Sequence, residues 1–539
     1  MSFPQLPLLP LILDRVPTGL IAALAQEGVP YRVWSLGAPQ GRFLLYDRRQ
    51  GPSRSGDSRQ IPIDVDRFRP AFSEDPFLAL EDEQIEVHQW SFGRAKMMHS
   101  RGRVDRRAYR RKLLDLLRAE IEAAGGIWLR LASYPFPYRT ALNVRLDHPH
   151  YEPQAFDAAL HALAGNESAT SHFLQITNFY SHPEALSRLR DFDLGILGGP
   201  EQERGTVPFR RKHKRGLPPF PAPEPSPSHI AKNLRQDLEL MHRVGLTPEG
   251  FLPPGGSFQP VLPPLLLRIE FPHVVLDDLG ADDLPFFPPS SSVLHVPSHP
   301  IGLQTLLAAE EDSGFRVQGS GDRGEGQEAR EDCSRSETGV SERGNPQSLI
   351  PNPQSLCTGS SPRTPSSSFA SAYFAHILLQ KYQAGEPMFF QGHVPGGWGE
   401  HPEVLRQLFD QVREHAAVWK TTLSRFARWW RSRAEVQLTV VAHDDFYTLA
   451  ADYLPHQYRL GVEFHRGRHV ARMEINRRVL RFSPAALAYE NCSPEPAFQP
   501  VRLDGPHSPP GKNSPNHKAH HGREGRHFFR RVFHVLRGK

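Results

Sequence analysis

Cysteine is nearly absent: Cys333, Cys357 and Cys492 are the three in 539 residues. All three sit in polar, unpatterned stretches. They build neither a disulfide framework nor a Cys-based zinc site, and nothing near them supplies the electropositive setting of a reactive thiol. Apolar residues are scarce too, at 38%, and no run reaches the length of a membrane-spanning helix. The opening MSFPQLPLLPLIL carries three prolines and no basic region, so it does not read as a signal peptide. A soluble, cytoplasmic protein is expected. The net charge is only +5, and its basic excess is local, at Arg210–Arg215 and after Lys512. Bulk charge therefore makes no case for nucleic acid. Proline is abundant instead, with 52 residues. The length predicts two to three domains, and the composition predicts that part of the chain is unfolded.

Residues 1–137 read as a small α/β domain. A short helix is expected over Pro17–Gln26, with Leu20, Ile21 and Leu24 on one face and a stop at Gly28. Tyr31–Trp34 and Arg42–Tyr46 alternate as strands. Asp105–Ala123 is the strongest helix, with Tyr109, Leu113, Leu116, Leu117 and Ile121 on one stripe, Asp105 as a cap and Gly125-Gly126 as its end.

From 138 to 310 strand-like and helix-like runs alternate, which predicts a parallel sheet or barrel. The run ALNVRLDHPH, Ala141–His150, opens it. Its alternation makes a strand that Pro149 must end, so Asp147, His148 and His150 arrive at a strand's C-terminal end. Barrels and open α/β sheets keep their ligand sites there. Further strands are expected at Ser171–Ile176, Asp193–Leu197 and Phe251–Leu252, with helices at Pro153–Leu163, His182–Leu189 and Ile230–Val244. Residues 311–369 are Ser-, Gly-, Arg- and Glu-rich and repeat Asn-Pro-Gln-Ser-Leu at Asn345 and Asn352. They lack the apolar content to offset ordering and read as a removable insertion. The pattern resumes with a helix at Ala370–Gln383, a strand at Met388–Gln391 ending in Gly392-His393, and helix from Pro402 to about Arg431. A small β-rich appendage follows over 433–489, then a basic tail over 490–539.

Several of these segments resemble the polysaccharide deacetylases of the NodB-homology type. NVRLDHPHY is similar to that family's first motif. Ser171–Leu174, GLTPEGFLPPGGSF, Asp282–Pro288, Val296–Gly302, GEPMFFQGHVPGG and the aromatic run Phe426–Trp430 resemble later ones, in order. The resemblance covers roughly 138–310 and 370–432. It implies a distorted (β/α) barrel and metal-assisted removal of acetyl groups from N-acetylated sugars. It also implies roles: Asp147 as general base, His393 as general acid on the leaving amine, and Pro254 and Gly255 in a substrate loop. Arg145, two residues before Asp147, is expected to orient it and to contact substrate.

The chain departs from the family at the metal. The second Asp of the first motif is replaced by His148 or Pro149, and Asp193–Glu201 has no histidine where a His pair is usual. A catalytic zinc takes about three protein ligands and an open position, and Asp147 alone cannot provide them. No metal or other cofactor is expected unless His148 or His150, with His213 or His229, forms a substitute site. Three readings follow: a deacetylase-like protein with lost or weakened hydrolysis, an active enzyme with a substitute metal site, or a non-catalytic sugar-binding scaffold. An acetylated carbohydrate is the expected partner in each.

The tail ends in RHFFRRVFHVLRGK, where Phe529, Val532, Phe533 and Leu536 fall at i, i+3, i+4 and i+7 beside Arg530, Arg531 and Arg537. A basic amphipathic helix of this pattern binds anionic membrane surfaces. The full chain is predicted to co-sediment with anionic vesicles at low salt and to release at high salt, where surface charge is screened. A chain ending at Asn491 should stay in the supernatant; equal behaviour of the two removes the tail from any membrane role.

Overall fold

In the computed structural model, residues 11–491 are described apart from 17, 34–42, 53–58, 65–84, 94, 103–105, 124–126, 199–226, 254–255, 257–261, 278–283, 288–290, 313–364, 444–445 and 468. Cys333, Cys357, Cys492, His213 and the C-terminal amphipathic stretch lie outside the described residues. No helix among the described residues is long and apolar enough to cross a membrane.

The N-terminal segment builds β1 (Leu11–Asp14), β2 (Tyr31–Val33), β3 (Phe43–Asp47) and β4 (Arg59–Ile63) into a parallel sheet of order β2-β1-β3-β4. The helices Thr18–Glu27 and Arg106–Ala123 form where the sequence predicts them. Leu20, Leu24, Leu113, Leu117 and Ile121 bury their stripes with Leu13, Leu45 and Ile63 from the sheet. A hairpin of β5 (Ile85–Phe92) and β6 (Ala95–Gly102) follows.

Next come β7 (Trp128–Leu131), β8 (Thr140–His148), β9 (Thr170–Leu174), β10 (Leu194–Leu197), β11 (Gly250–Leu252), β12 (His273–Leu276), β13 (Leu294–Pro297), β14 (Met388–His393) and β15 (Val418–Lys420). Seven of them make a parallel path, β13-β12-β11-β10-β9-β8-β14, and β15 joins Thr140–Leu142 of β8. Helices Pro153–Leu163, Leu303–Asp312, Pro365–Ala384 and Pro402–Arg413 cover the outer face, where Leu142, Val144 and Leu146 of β8 pack. Because side chains alternate along a strand, Ala141, Asn143, Arg145 and Asp147 face the concave side.

The expected barrel is only partly formed. The sheet curls, and the backbone N–H of His299 donates to the Phe389 carbonyl at 2.8 Å. Yet β13 and β14 form no ladder, so the sheet stays open. β13 ends at Pro297 and its chain turns into the helix at Leu303.

The expected helix from Pro402 to about Arg431 is also corrected. It breaks at Arg413, β15 intervenes, and a second helix runs Leu423–Glu435 with the Thr422 hydroxyl accepting the Arg425 N–H as its cap. This helix crosses the N-terminal end of the sheet. The Asp193 carboxylate before β10 accepts the Ser424 N–H, and Arg431 donates to the carbonyls of Pro272 and Ser292 before β12 and β13. Its Phe426 and Trp430 pack against Trp419 and Phe389 beneath the concave face.

β16 (Leu438–Ala442), β17 (Tyr447–Ala451) and β20 (Val479–Phe482) form one antiparallel sheet; β18 (Leu460–Arg466), β19 (His469–Ile475) and β21 (Glu490–Asn491) form another with β7. A strand of the N-terminal segment thus lies in the sheet of the β-rich region, and pairing continues two residues past 489.

The insertion is shorter than its composition suggests, since helices run to Asp312 and from Pro365. Phe369, inside the expected insertion, meets the Phe92 ring at 5.6 Å. Replacing 313–364 with a short Gly/Ser linker is predicted to leave the melting temperature nearly unchanged, because closure entropy varies only logarithmically with loop length. Extending the deletion over 311–369 should lower it. A large loss from the shorter deletion would show that 313–364 packs on the rest.

Candidate functional site

The C-terminal ends of β8, β12 and β13 converge on Arg145. Its Nε–H binds Asp147 at 2.8 Å to Oδ1 and 3.1 Å to Oδ2. Its Nη2 donates to Asp147 Oδ2 at 2.9 Å and to Asp277 Oδ2 at 3.0 Å. Its Nη1 donates to Asp277 Oδ1 at 2.9 Å and to Ser298 Oγ at 3.3 Å. A guanidinium has five N–H donors, and these contacts use all of them. The Ser298 hydroxyl in turn donates to Asp277, and the Phe173 ring lies 6.0 Å from the guanidinium carbon.

Arg145 is 1% exposed and Asp147 2%, so neither reaches solvent freely. Burial opposes the charge on Arg145, but Asp147 and Asp277 more than offset it and hold the guanidinium more firmly protonated than usual. Burial pushes the Asp147 carboxyl above its ordinary range, with Arg145 pulling the other way and Asp277 adding to the rise. Arg145 was expected to orient Asp147 and to touch substrate. It does bind Asp147, but it has no donor left to offer a ligand.

His393 ends β14 as the register partner of Asp147 in the parallel ladder, and it is exposed. The Gln304 side-chain amide donates to its backbone carbonyl at 3.1 Å. Asp147 and His393 therefore share one strand end. Pro254 and Gly255 lie outside the described residues. Their neighbour Gly256 adopts φ +67, and a Cβ there would fall 2.3 Å from Asp277 Oδ2. The Asp277 N–H donates to the Gly256 carbonyl at 2.9 Å. Only a residue without a side chain fits against that carboxylate.

His148 does not join Asp147. It lies on the opposite, helix-covered face of β8, buried among Phe156 and Phe179. Its Nε2 shares a hydrogen bond with His172 Nδ1 at 3.0 Å, and the rings stack 5.2 Å apart. His148 Nδ1 and His172 Nε2 have no hydrogen-bond partner. His150 is exposed beyond the strand end. Both Asp147 oxygens accept from Arg145, and among the described residues no three His, Cys, Asp or Glu side chains converge on a point. The described residues around Asp147 do not make a zinc site. A divalent ion about 4 Å from the fixed guanidinium would also meet a repulsion on the order of 8 kcal/mol at an effective dielectric near 20.

Asp277 and Ser298 were not singled out by the sequence. Asp277 does carry the same signature as Asp147, an acid directly after the apolar run His273–Leu276, and Ser298 lies within a segment that carried the family resemblance.

No protein-family profile matches the chain, and no curated protein matches it. A solved structure similar to it is a Mycobacterium smegmatis chain provisionally designated a polysaccharide deacetylase. The identity is 13%, the TM-score 0.36, and the match covers 57% of this chain and 98% of that one.

Burial holds the His148 imidazole well below its usual range, with repulsion from His172 adding to the effect, and pushes His172, His273 and His295 each down to about 3. Unfolded imidazoles titrate near 6.5. Below that pH the unfolded chain takes up protons that the folded chain refuses. The contribution is full above about pH 6.5 and shrinks as pH falls towards 3, by up to about 1.4 kcal/mol per pH unit per imidazole. Urea midpoints should drop between about pH 7.5 and about pH 5, and His172→Phe should flatten the slope by one proton. An unchanged slope in that variant would mean that His172 is not held neutral in the native state.

Proposed function

We propose that the chain is a carbohydrate deacetylase-like protein in which hydrolysis of N-acetyl groups is lost or greatly weakened. The sheet end at Asp147 and His393 is where an acetylated carbohydrate would dock. The observation that carries the reading is the closed Arg145 clamp. Hydrolysis needs a base that accepts a proton from water and a group that stabilises the oxyanion. The base candidate has both oxygens on Arg145, and the nearest cation has every donor committed to Asp147, Asp277 and Ser298.

One observation favours residual chemistry: His393 is exposed and stands beside Asp147 across the ladder. In that second reading, Asp147 takes a proton from water as the water oxygen bonds to the acetyl carbon. His393 then protonates the departing amine as the C–N bond breaks, releasing acetate.

Purified protein is predicted to hold well under one equivalent of zinc or a similar ion. It should release acetate from N-acetylglucosamine oligomers no faster than an Asp147→Asn variant does. Stoichiometric metal that vanishes in Asp147→Ala, together with acetate release, would overturn the proposal in favour of an active enzyme. Acetate release without metal, lost in both Asp147→Asn and His393→Ala, would support the second reading.

A further inference from the structure

We infer that the Arg145 guanidinium is the resident ion of a cation site made by Asp147, Asp277 and Ser298, tethered to the chain in place of an exchangeable ion. The inference rests on the reading that the site does not work through a bound metal.

Three strands deliver the oxygens. Asp147 comes from the end of β8, Asp277 from just after β12, and Ser298 from just after β13. Asp277 lies 132 residues from Arg145 in sequence and Ser298 lies 153 away. The oxygens meet only because the sheet curls. The carboxylate side chains are 2% and 12% exposed. Two carboxylates this deep repel each other and lose hydration, and they persist as a pair only around a cation or a shared proton.

The Oδ2 atoms of both aspartates bind the same Nη2, at 2.9 and 3.0 Å. They face one another across a single nitrogen. The ligand set is oxygen only, which suits a hard or planar nitrogen cation rather than a thiophilic metal. Gly256 packs directly on Asp277 and leaves that carboxylate its room. The two carboxylates and the Ser298 hydroxyl are thus arranged around the centre that the guanidinium fills.

If the guanidinium is an occupant, shortening the side chain should leave a site that a free guanidinium ion refills. The probe is guanidinium chloride at low millimolar concentration, far below its denaturing range. Urea serves as the uncharged control of the same shape. Arg145→Ala should melt well below wild type. Guanidinium should restore a saturable part of the loss, urea should not, and wild type should respond to neither. Adding Asp277→Asn to Arg145→Ala should abolish the rescue.

Rescue by urea equal to that by guanidinium would reduce the effect to filling a void and overturn the inference. So would Arg145→Ala melting like wild type, or the absence of any rescue. Should Arg145→Ala not fold, Arg145→Lys and Arg145→Met decide. A folded Lys variant beside an unfolded Met variant supports a required cation, and equal behaviour of the two overturns it. Stoichiometric zinc in wild type that vanishes in Asp147→Ala, together with acetate release, sinks the functional proposal. A metal-free wild type whose alanine variant ignores guanidinium sinks this inference alone.

Discussion

One buried cation between two buried carboxylates sets the terms for the centre of this molecule. Removing an ion from water costs several kcal/mol even after relaxation, and mutual attraction repays that only when the geometry is good and every remaining donor is satisfied. Arg145 meets the condition with all its N–H groups bound. Any neighbour that moved would strand a charge in the interior. The triad therefore constrains the curl, because β8, β12 and β13 must bring their ends to one point. In the proposed reading the same commitment works against turnover: groups held this tightly cannot exchange partners during a reaction without losing what keeps them buried.

The two ends of the sheet divide the work. At the N-terminal end the helix Leu423–Glu435 acts as a plug, tied to strand starts through Ser424, Arg431 and the aromatic pair Phe426 and Trp430. Arg433 on the same helix is 1% exposed and donates to the carbonyls of Ala132, Gln26 and Leu131, which fixes the segment around Gly28 to the plug. Gly28 has φ +73 and would place a Cβ 2.3 Å from the Arg433 guanidinium, so that contact needs glycine. These groups hold structure together. The titratable groups with a route to solvent, His393 foremost, stand at the opposite end, as expected where strand C-termini carry the site.

Local patterning made β8, the two N-terminal helices and the βα alternation legible, since each is an apolar period with a visible stop. Asp147 was legible because Pro149 marks where its strand must end. Asp277 was not, although it follows an apolar run, because its importance comes from a partner 132 residues away. The strands β12, β13 and β15 have four, four and three residues, too few for a period to show. The pairing of β7 with β18 joins residues more than 300 apart in sequence, and no local rule anticipates it. The open sheet has the same origin: β14 resembles a barrel strand by itself, and whether β13 pairs with it depends on a segment far away in sequence.

His148 shows how one backbone choice fixes chemistry. Neighbouring residues in a strand point to opposite faces. For Asp147 and its successor to face one ion, the strand would have to turn at that successor. Here β8 stays extended through His148, held by its ladder pairing with Leu174 and by the Gln175 N–H donating to the His148 carbonyl at 3.1 Å. His148 is thereby committed to the helix-covered face, where His172, Phe156 and Phe179 receive it. An aspartate at 148 would meet that same apolar setting and be expelled or protonated. Exchanging the side chain is therefore not enough to build an ion site beside Asp147. The extension of β8 by one residue and the Arg145 clamp would both have to be undone, and each is secured by contacts on a different face of the same strand.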